Sequence, residues 1–76
     1  MIGFVVAMEI EVRPLLEKME IKESFKLTSR HCLAGKLYGK EAALIISDIG
    51  KVNAASATQA LLSKFPQIDK IVNYGV

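Results

Sequence analysis

One stretch decides the fold class of this 76-residue chain: Ile2-Gly3-Phe4-Val5-Val6-Ala7-Met8. The run is continuously apolar and rich in β-branched residues, and it lacks the alternation of a strand with one face in water. Strands that are covered on both faces are typical of parallel sheets, whose crossover connections place helices on each side. The sequence therefore predicts an α/β protein that begins with a buried parallel strand.

An amphipathic helix is predicted directly after this strand. Its apolar residues form one stripe at positions i, i+3, i+4 and i+7, namely Val12, Leu15, Leu16 and Met19. Proline is tolerated only near the start of a helix, where its missing N–H has no helical partner. Pro14 therefore predicts a helix that begins near Ile10 or Glu11.

The rest of the chain predicts a β-meander, a second helix and a last strand. The meander strands are expected over 24–27, 31–37 and 40–47, with turns at Thr28-Ser29-Arg30 and Tyr38-Gly39-Lys40. The alternation of apolar and polar residues is poorest in the third of these strands, which should therefore be the most buried. The second helix is alanine-rich and spans 51–64, and its small side chains allow close packing against a sheet. Phe65-Pro66-Gln67 ends it before a strand over 68–76.

Composition narrows the class of protein and its partners. The net charge is +2, from 10 basic and 8 acidic residues, and no basic stripe favours nucleic acid. Cys32 is the only cysteine and His31 the only histidine, so we expect no metal site and no disulfide within the chain. No cofactor is expected either. Without a signal peptide or a membrane-length apolar run, a cytoplasmic protein with no membrane partner is expected.

The chain ends inside a predicted turn, at Asn73-Tyr74-Gly75-Val76. Hydrophobic residues make up 51% of the sequence, a high share for one small domain. Further layers of structure or a partner chain are expected to cover this apolar surface. We therefore expect residues 1–76 to be the N-terminal part of a single larger α/β catalytic domain. A homo-oligomer is also expected.

Three stretches with the character of a binding site follow the predicted strands, and open α/β sheets bind ligands at such strand ends. They are Met8-Glu9-Ile10-Glu11, Asp48-Ile49-Gly50-Lys51 and Asn73-Tyr74-Gly75-Val76. A carboxylate at a helix start stays ionised and can hold a water molecule, although acids also favour a first helical turn for stability alone. Glu9 and Glu11 lie about 200° apart around a helix, so only one of them can face a site, and geometry does not choose between them.

Together these stretches resemble a known enzyme family. The segments Ala7-Met8-Glu9-Ile10-Glu11-Val12, Ser47-Asp48-Ile49-Gly50-Lys51-Val52 and Ile71-Val72-Asn73-Tyr74-Gly75 are similar to those of the 5′-methylthioadenosine/S-adenosylhomocysteine nucleosidases. These enzymes belong to the nucleoside phosphorylase superfamily, which has a mixed central sheet flanked by helices. The resemblance spans essentially all 76 residues but only the first third of a typical member.

The resemblance implies a function and a set of site residues. The family hydrolyses the N-glycosidic bond of a small-molecule nucleoside and releases adenine. Glu11 matches the glutamate that positions the attacking water, and Ile49 matches the isoleucine that lines the pocket for the 5′-alkylthio group. Met8 matches a methionine beside the ribose. Val76 stands where serine is frequent beneath the sugar or base, and Val6 stands where many members have glycine, so the sequence departs from the family at both positions.

Two alternatives stay open. Another purine-releasing member, such as a futalosine hydrolase or a phosphorylase, shares these motifs, although an anionic Glu11 would repel phosphate and favours water as the nucleophile. The other alternative is a non-catalytic module that associates with itself through the small residues of the second helix. The family's leaving-group acid and its ribose-binding glutamate lie beyond this stretch, so residues 1–76 alone are expected to be inactive.

Overall fold

A computed structural model describes residues 1–7, 9–48 and 51–74, and it describes no side chains at 9–12, 51 and 52. The elements follow in the order β1 (Ile2–Val6), α1 (Glu9–Lys18), β2 (Met19–Leu27), β3 (Arg30–Leu37), β4 (Lys40–Ile46), α2 (Lys51–Lys64) and β5 (Lys70–Tyr74). The predicted order of strand, helix, three-strand meander, helix and strand is confirmed.

The strands form one mixed sheet in the order β2-β3-β4-β1-β5. β1 pairs in parallel with β4 on one side and with β5 on the other, whereas β2, β3 and β4 pair antiparallel as a meander. Val6 stands opposite Ile46 of β4 and Tyr74 of β5. The carboxyl ends of the three parallel strands therefore lie side by side at one edge of the sheet.

Each face of the sheet has its own hydrophobic core, because successive residues of a strand point to opposite faces. The first core contains Phe4, Val6, Met19, Leu33, Ala42 and Leu44, with Leu15 and Leu16 of α1 packed against it. The second contains Val5, Cys32, Ala43, Ile45, Ala57, Leu61 and Ile68, two of which belong to α2. Residues 4–6 of β1 are 7% exposed or less, so the prediction of a strand covered on both faces is confirmed.

Both hairpins of the meander turn through two residues with positive φ. Thr28 and Ser29 have φ of 49° and 68°, and Tyr38 and Gly39 have φ of 51° and 80°. Such left-handed pairs match the right-handed twist of the strands they connect. The two turns lie where the sequence predicts them, and β4 is the most buried strand of the three, with Ala42 to Ile45 at 1% exposure or less.

The boundary between α1 and β2 was predicted wrongly. Met19 begins β2, which extends from Met19 to Leu27, whereas the sequence places Met19 in the helix and begins the strand at Ser24. Met19 lies in the first core. Its position continues the apolar stripe of the helix, and it equally suits a buried residue at the start of a strand. Pairing with β3 decides in favour of the strand.

Smaller boundaries also differ from the prediction. β1 ends at Val6, before the end of the apolar run at Met8, and β3 begins at Arg30, one residue earlier than expected. α1 begins at Glu9, so Pro14 is its sixth residue and lies inside the helix. β4 ends at Ile46, which leaves Ser47 outside the strand. β5 begins at Lys70 and not at Ile68, which is buried in the connection that leads to the strand.

Gly35 of β3 permits a close approach to the edge strand. The register between β2 and β3 shifts between Ile21 and Glu23, and Gly35 pairs with Ile21 at that irregularity. A Cβ atom at Gly35 would overlap the backbone oxygen of Glu20. The shift thus leaves no space for a side chain at position 35.

We predict that Gly35→Ala lowers the free energy of unfolding by about 1–3 kcal/mol or more, because a backbone atom cannot move aside as a side chain can. Gly3→Ala is the matched control. Its Cβ would meet only side-chain ends, the nearest being Ile71 Cδ1 at 2.9 Å. Urea unfolding of the full gene product measures both variants, and a loss at Gly3 as large as that at Gly35 would contradict the prediction.

Candidate active site

The candidate site lies at the edge formed by the carboxyl ends of β1, β4 and β5. Val6 is central in this edge, with its register partners on either side. Neighbouring strands are about 4.8 Å apart, so the three strand ends fall within about 10 Å. The topology thus brings together the ends of the three strands that these stretches follow in the sequence, the third stretch beginning within β5 itself.

The structure does not describe the side chains of the four residues predicted for the site. Met8, Ile49 and Val76 lie outside the described residues. Glu11 is the third residue of α1, but its side chain is not described. The roles of these four residues therefore stay predictions. Glu9 is the first residue of the same helix, so both acidic candidates belong to its first turn.

Ser47 is a residue of this edge that the sequence reasoning missed. It follows β4 directly, and its side chain is only 2% exposed. Its backbone N–H donates to the carbonyl of Val6 at 2.7 Å. Its Oγ lies 3.3 Å from the same carbonyl and 3.0 Å from the carbonyl of Asp48. The signal available in the sequence was a polar residue at the end of an apolar run, next to an aspartate. A hydroxyl that is buried at such a position requires hydrogen-bond partners.

Asp48 turns the chain away from β4. Its φ is 66°, in the left-handed region that non-glycine residues seldom occupy. Aspartate tolerates this region better than most residues, because its short polar side chain can form local hydrogen bonds. Asp48 is exposed, so its backbone conformation and not its burial distinguishes it.

Cys32 is not suited to act as a catalytic nucleophile. Burial raises the pKa of the Cys32 thiol, against a backbone hydrogen bond at Leu27 and the charge of Arg30, which both lower it. A fully buried, neutral thiol is a poor nucleophile, and Cys32 belongs to the second core. His31 is exposed, and its Nε2 lies 2.9 Å from Ser24 Oγ.

Among the described residues, no group of three or more histidine, cysteine, aspartate or glutamate side chains is placed to hold a metal ion. The same part of the chain contains no helix that is long and apolar enough to cross a membrane.

An open groove of about 480 Å³ lies at the opposite, amino-terminal edge of β1 and is lined in part by Met1, Lys40 and Lys70. There the terminal ammonium of Met1 contacts Asp69 Oδ1 at 3.3 Å. Its hydrogen bond and charge lower the pKa of that exposed carboxyl. Ligands of α/β sheets bind at the carboxyl ends of strands, so this groove does not mark the candidate site.

Comparisons with known proteins agree with this geometry. The family model of the phosphorylase superfamily matches residues 1–76. The 5′-methylthioadenosine/S-adenosylhomocysteine nucleosidase of Shewanella pealeana is 43% identical over 74 residues, which cover 97% of this chain and 32% of the relative. The chain thus spans about a third of the length of the curated relatives it matches.

Two solved structures share the fold. The nucleosidase of the same name from Colwellia psychrerythraea, in complex with adenine, gives a TM-score of 0.86 at 39% identity and covers 95% of this chain and 29% of that protein. The futalosine hydrolase of Helicobacter pylori gives a TM-score of 0.84 at 30% identity, with 99% of this chain and 32% of that protein covered. The predicted mixed sheet flanked by helices is confirmed.

Proposed function

We propose a function for this chain from one premise: it belongs to the phosphorylase superfamily. The protein that contains residues 1–76 is proposed to hydrolyse the N-glycosidic bond of 5′-methylthioadenosine or S-adenosylhomocysteine and to release adenine. The observation that carries the proposal is the adjacency of the carboxyl ends of β1, β4 and β5, the strands that precede or contain the start of the three family-like stretches in the sequence. The likeness to nucleosidases of that name supports the substrate class.

In this proposal, Glu11 supplies the base. The N-terminus of α1 favours an ionised carboxylate in its first turn. The carboxylate orients a water molecule and accepts its proton while the water oxygen bonds to C1′ of the ribose. The bond between C1′ and the purine breaks as this new bond forms, through an oxocarbenium-like sugar. Adenine leaves with a proton from an acid outside residues 1–76.

The other predicted site residues have binding roles. Met8 is proposed to lie beside the ribose, Ile49 to contact the 5′-alkylthio group, and Val76 to lie beneath the sugar or base. No cofactor is needed, because the reaction consumes only water. The substrate is a small nucleoside.

The organisation of the whole protein is also part of the proposal. Residues 1–76 would form the N-terminal part of a single larger catalytic domain, which the 32% coverage of the relatives supports. A homo-oligomer is proposed because hydrophobic residues make up 51% of the sequence, a high share for one small domain. A cytoplasmic location agrees with a single cysteine that is buried and unpaired.

Futalosine hydrolysis is the second candidate, because the structural likeness to the Helicobacter pylori futalosine hydrolase is nearly as high. Both activities use water on an N-glycosidic bond, and residues outside this chain set the choice of base and 5′ group. Assaying the full gene product with futalosine and with 5′-methylthioadenosine separates the two.

We predict that the full gene product releases adenine from 5′-methylthioadenosine at the same rate with and without phosphate. Water, held by an anionic carboxylate, is the proposed nucleophile, whereas a phosphorylase would need cationic and N–H groups for phosphate at that position. Chromatographic detection of adenine in phosphate-free buffer provides the measurement. An absolute phosphate requirement would overturn the hydrolase proposal.

A second prediction concerns the base. Glu11→Gln should keep nucleoside binding and lose about 10²–10⁴-fold in turnover, because glutamine keeps the shape and removes the charge that activates water. Glu17→Gln, exposed on the same helix, removes the same charge outside the first turn and is the matched control. Turnover close to that of the wild type in Glu11→Gln, with a large loss in Glu9→Gln, would transfer the role to Glu9.

The third prediction concerns residues 1–76 in isolation. They should release no adenine and should associate, because the open β5 edge and the half-buried residues beside it lack cover. Sedimentation over a range of concentrations tests the association, and a monomer at all of them would refute it. Adenine release by the same preparation would require an acid within this sequence.

A further inference from the structure

β2 lies at one edge of the described sheet, where it pairs with β3 on one side. An edge strand leaves N–H and C=O groups unpaired along its other side, and a further strand can add to them. β2 is a long edge of 9 residues, from Met19 to Leu27, and it carries Ile21, which is 46% exposed. A regular strand of this length and exposure would be a docking site for a strand of another chain.

The edge is not regular, however. Its pairing with β3 passes from Ile21 directly to Glu23, and these two residues stand opposite the consecutive positions 35 and 34. Lys22 is therefore an extra residue on the β2 side, without a register partner on β3. One extra residue on one strand of an antiparallel pair is a β-bulge, which bends the strand and increases its twist.

The two hydrophobic cores give independent evidence for the bulge. Met19 lies in the first core, whereas Phe25 packs against the second. In a regular strand, two residues an even number of positions apart point to the same face, because side chains alternate with a period of two. The extra residue reverses the alternation, so the two halves of β2 contribute to opposite faces of the sheet.

Charged side chains surround the bulge. Lys22 is 55% exposed, and its Nζ lies 3.8 Å from Oε1 of Glu20, which is 71% exposed. Glu23 and Lys26 are exposed further along the same strand. A strand that added to this edge would have to remove several of these charges from water, which costs free energy unless each of them gains a partner.

We propose that Lys22 closes the β2 edge to strand addition. As the extra residue of the bulge, it disrupts the ladder that an added strand needs, and its charge opposes burial. A second copy of the chain is thereby prevented from pairing with β2, and association is confined to other surfaces. The inference does not depend on the reaction that the protein catalyses.

The experiment compares variants of the full gene product by sedimentation over a range of concentrations and by hydrogen exchange of the β2 amides. Deletion of Lys22 places consecutive residues opposite positions 35 and 34, so it restores a regular ladder and also removes the charge. We expect the deletion variant to form a larger assembly than the wild type. Its outward-facing β2 amides should exchange about tenfold more slowly, because new cross-strand pairs form.

Lys36→Val is the matched control. It removes the same charge from an exposed position of β3, which has a strand on each side, so it should keep the mass and the exchange rates of the wild type. Lys22→Val removes the charge and keeps the bulge. It should therefore associate less than the deletion variant and more than Lys36→Val.

Wild-type mass and exchange rates in the deletion variant would overturn the inference. If that variant does not fold, the two substitutions decide, and equal association of Lys22→Val and Lys36→Val would overturn it. Slow exchange of the outward-facing β2 amides in the wild type would overturn it as well, because the edge would then already be paired.

Discussion

The parallel pairing of β1 on both of its sides is the constraint on which the rest of the structure depends. Parallel neighbours cannot be joined by tight turns, so the chain must cross a face of the sheet each time it returns. The connection from β1 to β4 carries α1 and the hairpin of β2 and β3, and the connection from β4 to β5 carries α2. The helices pack against opposite faces, which explains why both sides of β1 are apolar.

The same pairing accounts for the position of the candidate site. Because β4, β1 and β5 run in one direction, their carboxyl ends meet at one edge. Segments far apart in the sequence thus continue from adjacent points. The backbone N–H of Ser47 donates to the Val6 carbonyl at 2.7 Å, so a hydrogen bond also joins the end of β1 to the residue that follows β4.

Much of this fold could be predicted from the sequence, wherever a pattern was compatible with only one kind of structure. The apolar run of β1, the alanines of α2 and the two hairpin turns each indicated a single structure. Met19 did not, because a residue that continues a helical stripe can also be the buried first residue of a strand. The beginning of β2 is otherwise exposed, including Ile21 at 46%, so no core pattern marked it and its pairing with β3 decided its structure.

The site was less predictable than the fold. The acidic pair at the start of α1 was recognised, but a choice between Glu9 and Glu11 came only from the family resemblance. No periodic pattern in the sequence marks Ser47. Its role depends on the Val6 carbonyl, which lies 41 residues earlier in the sequence and which folding brings near. Local sequence describes which residues can form a strand or a turn, whereas a tertiary hydrogen bond requires the assembled sheet.

The amino-terminal edge of the sheet has a practical consequence for work on this protein. The Met1 ammonium contacts Asp69, and the backbone N–H of Asp69 donates to the Met1 carbonyl at 3.1 Å, so the first residue is fastened to the connection before β5. An affinity tag fused ahead of Met1 would convert this cation into a neutral amide and remove the charge that Asp69 faces. Such a tag would emerge beside Lys40 and Lys70, on the side of the sheet remote from the candidate site. Tagged and untagged preparations should therefore be compared for stability before they are compared for catalysis.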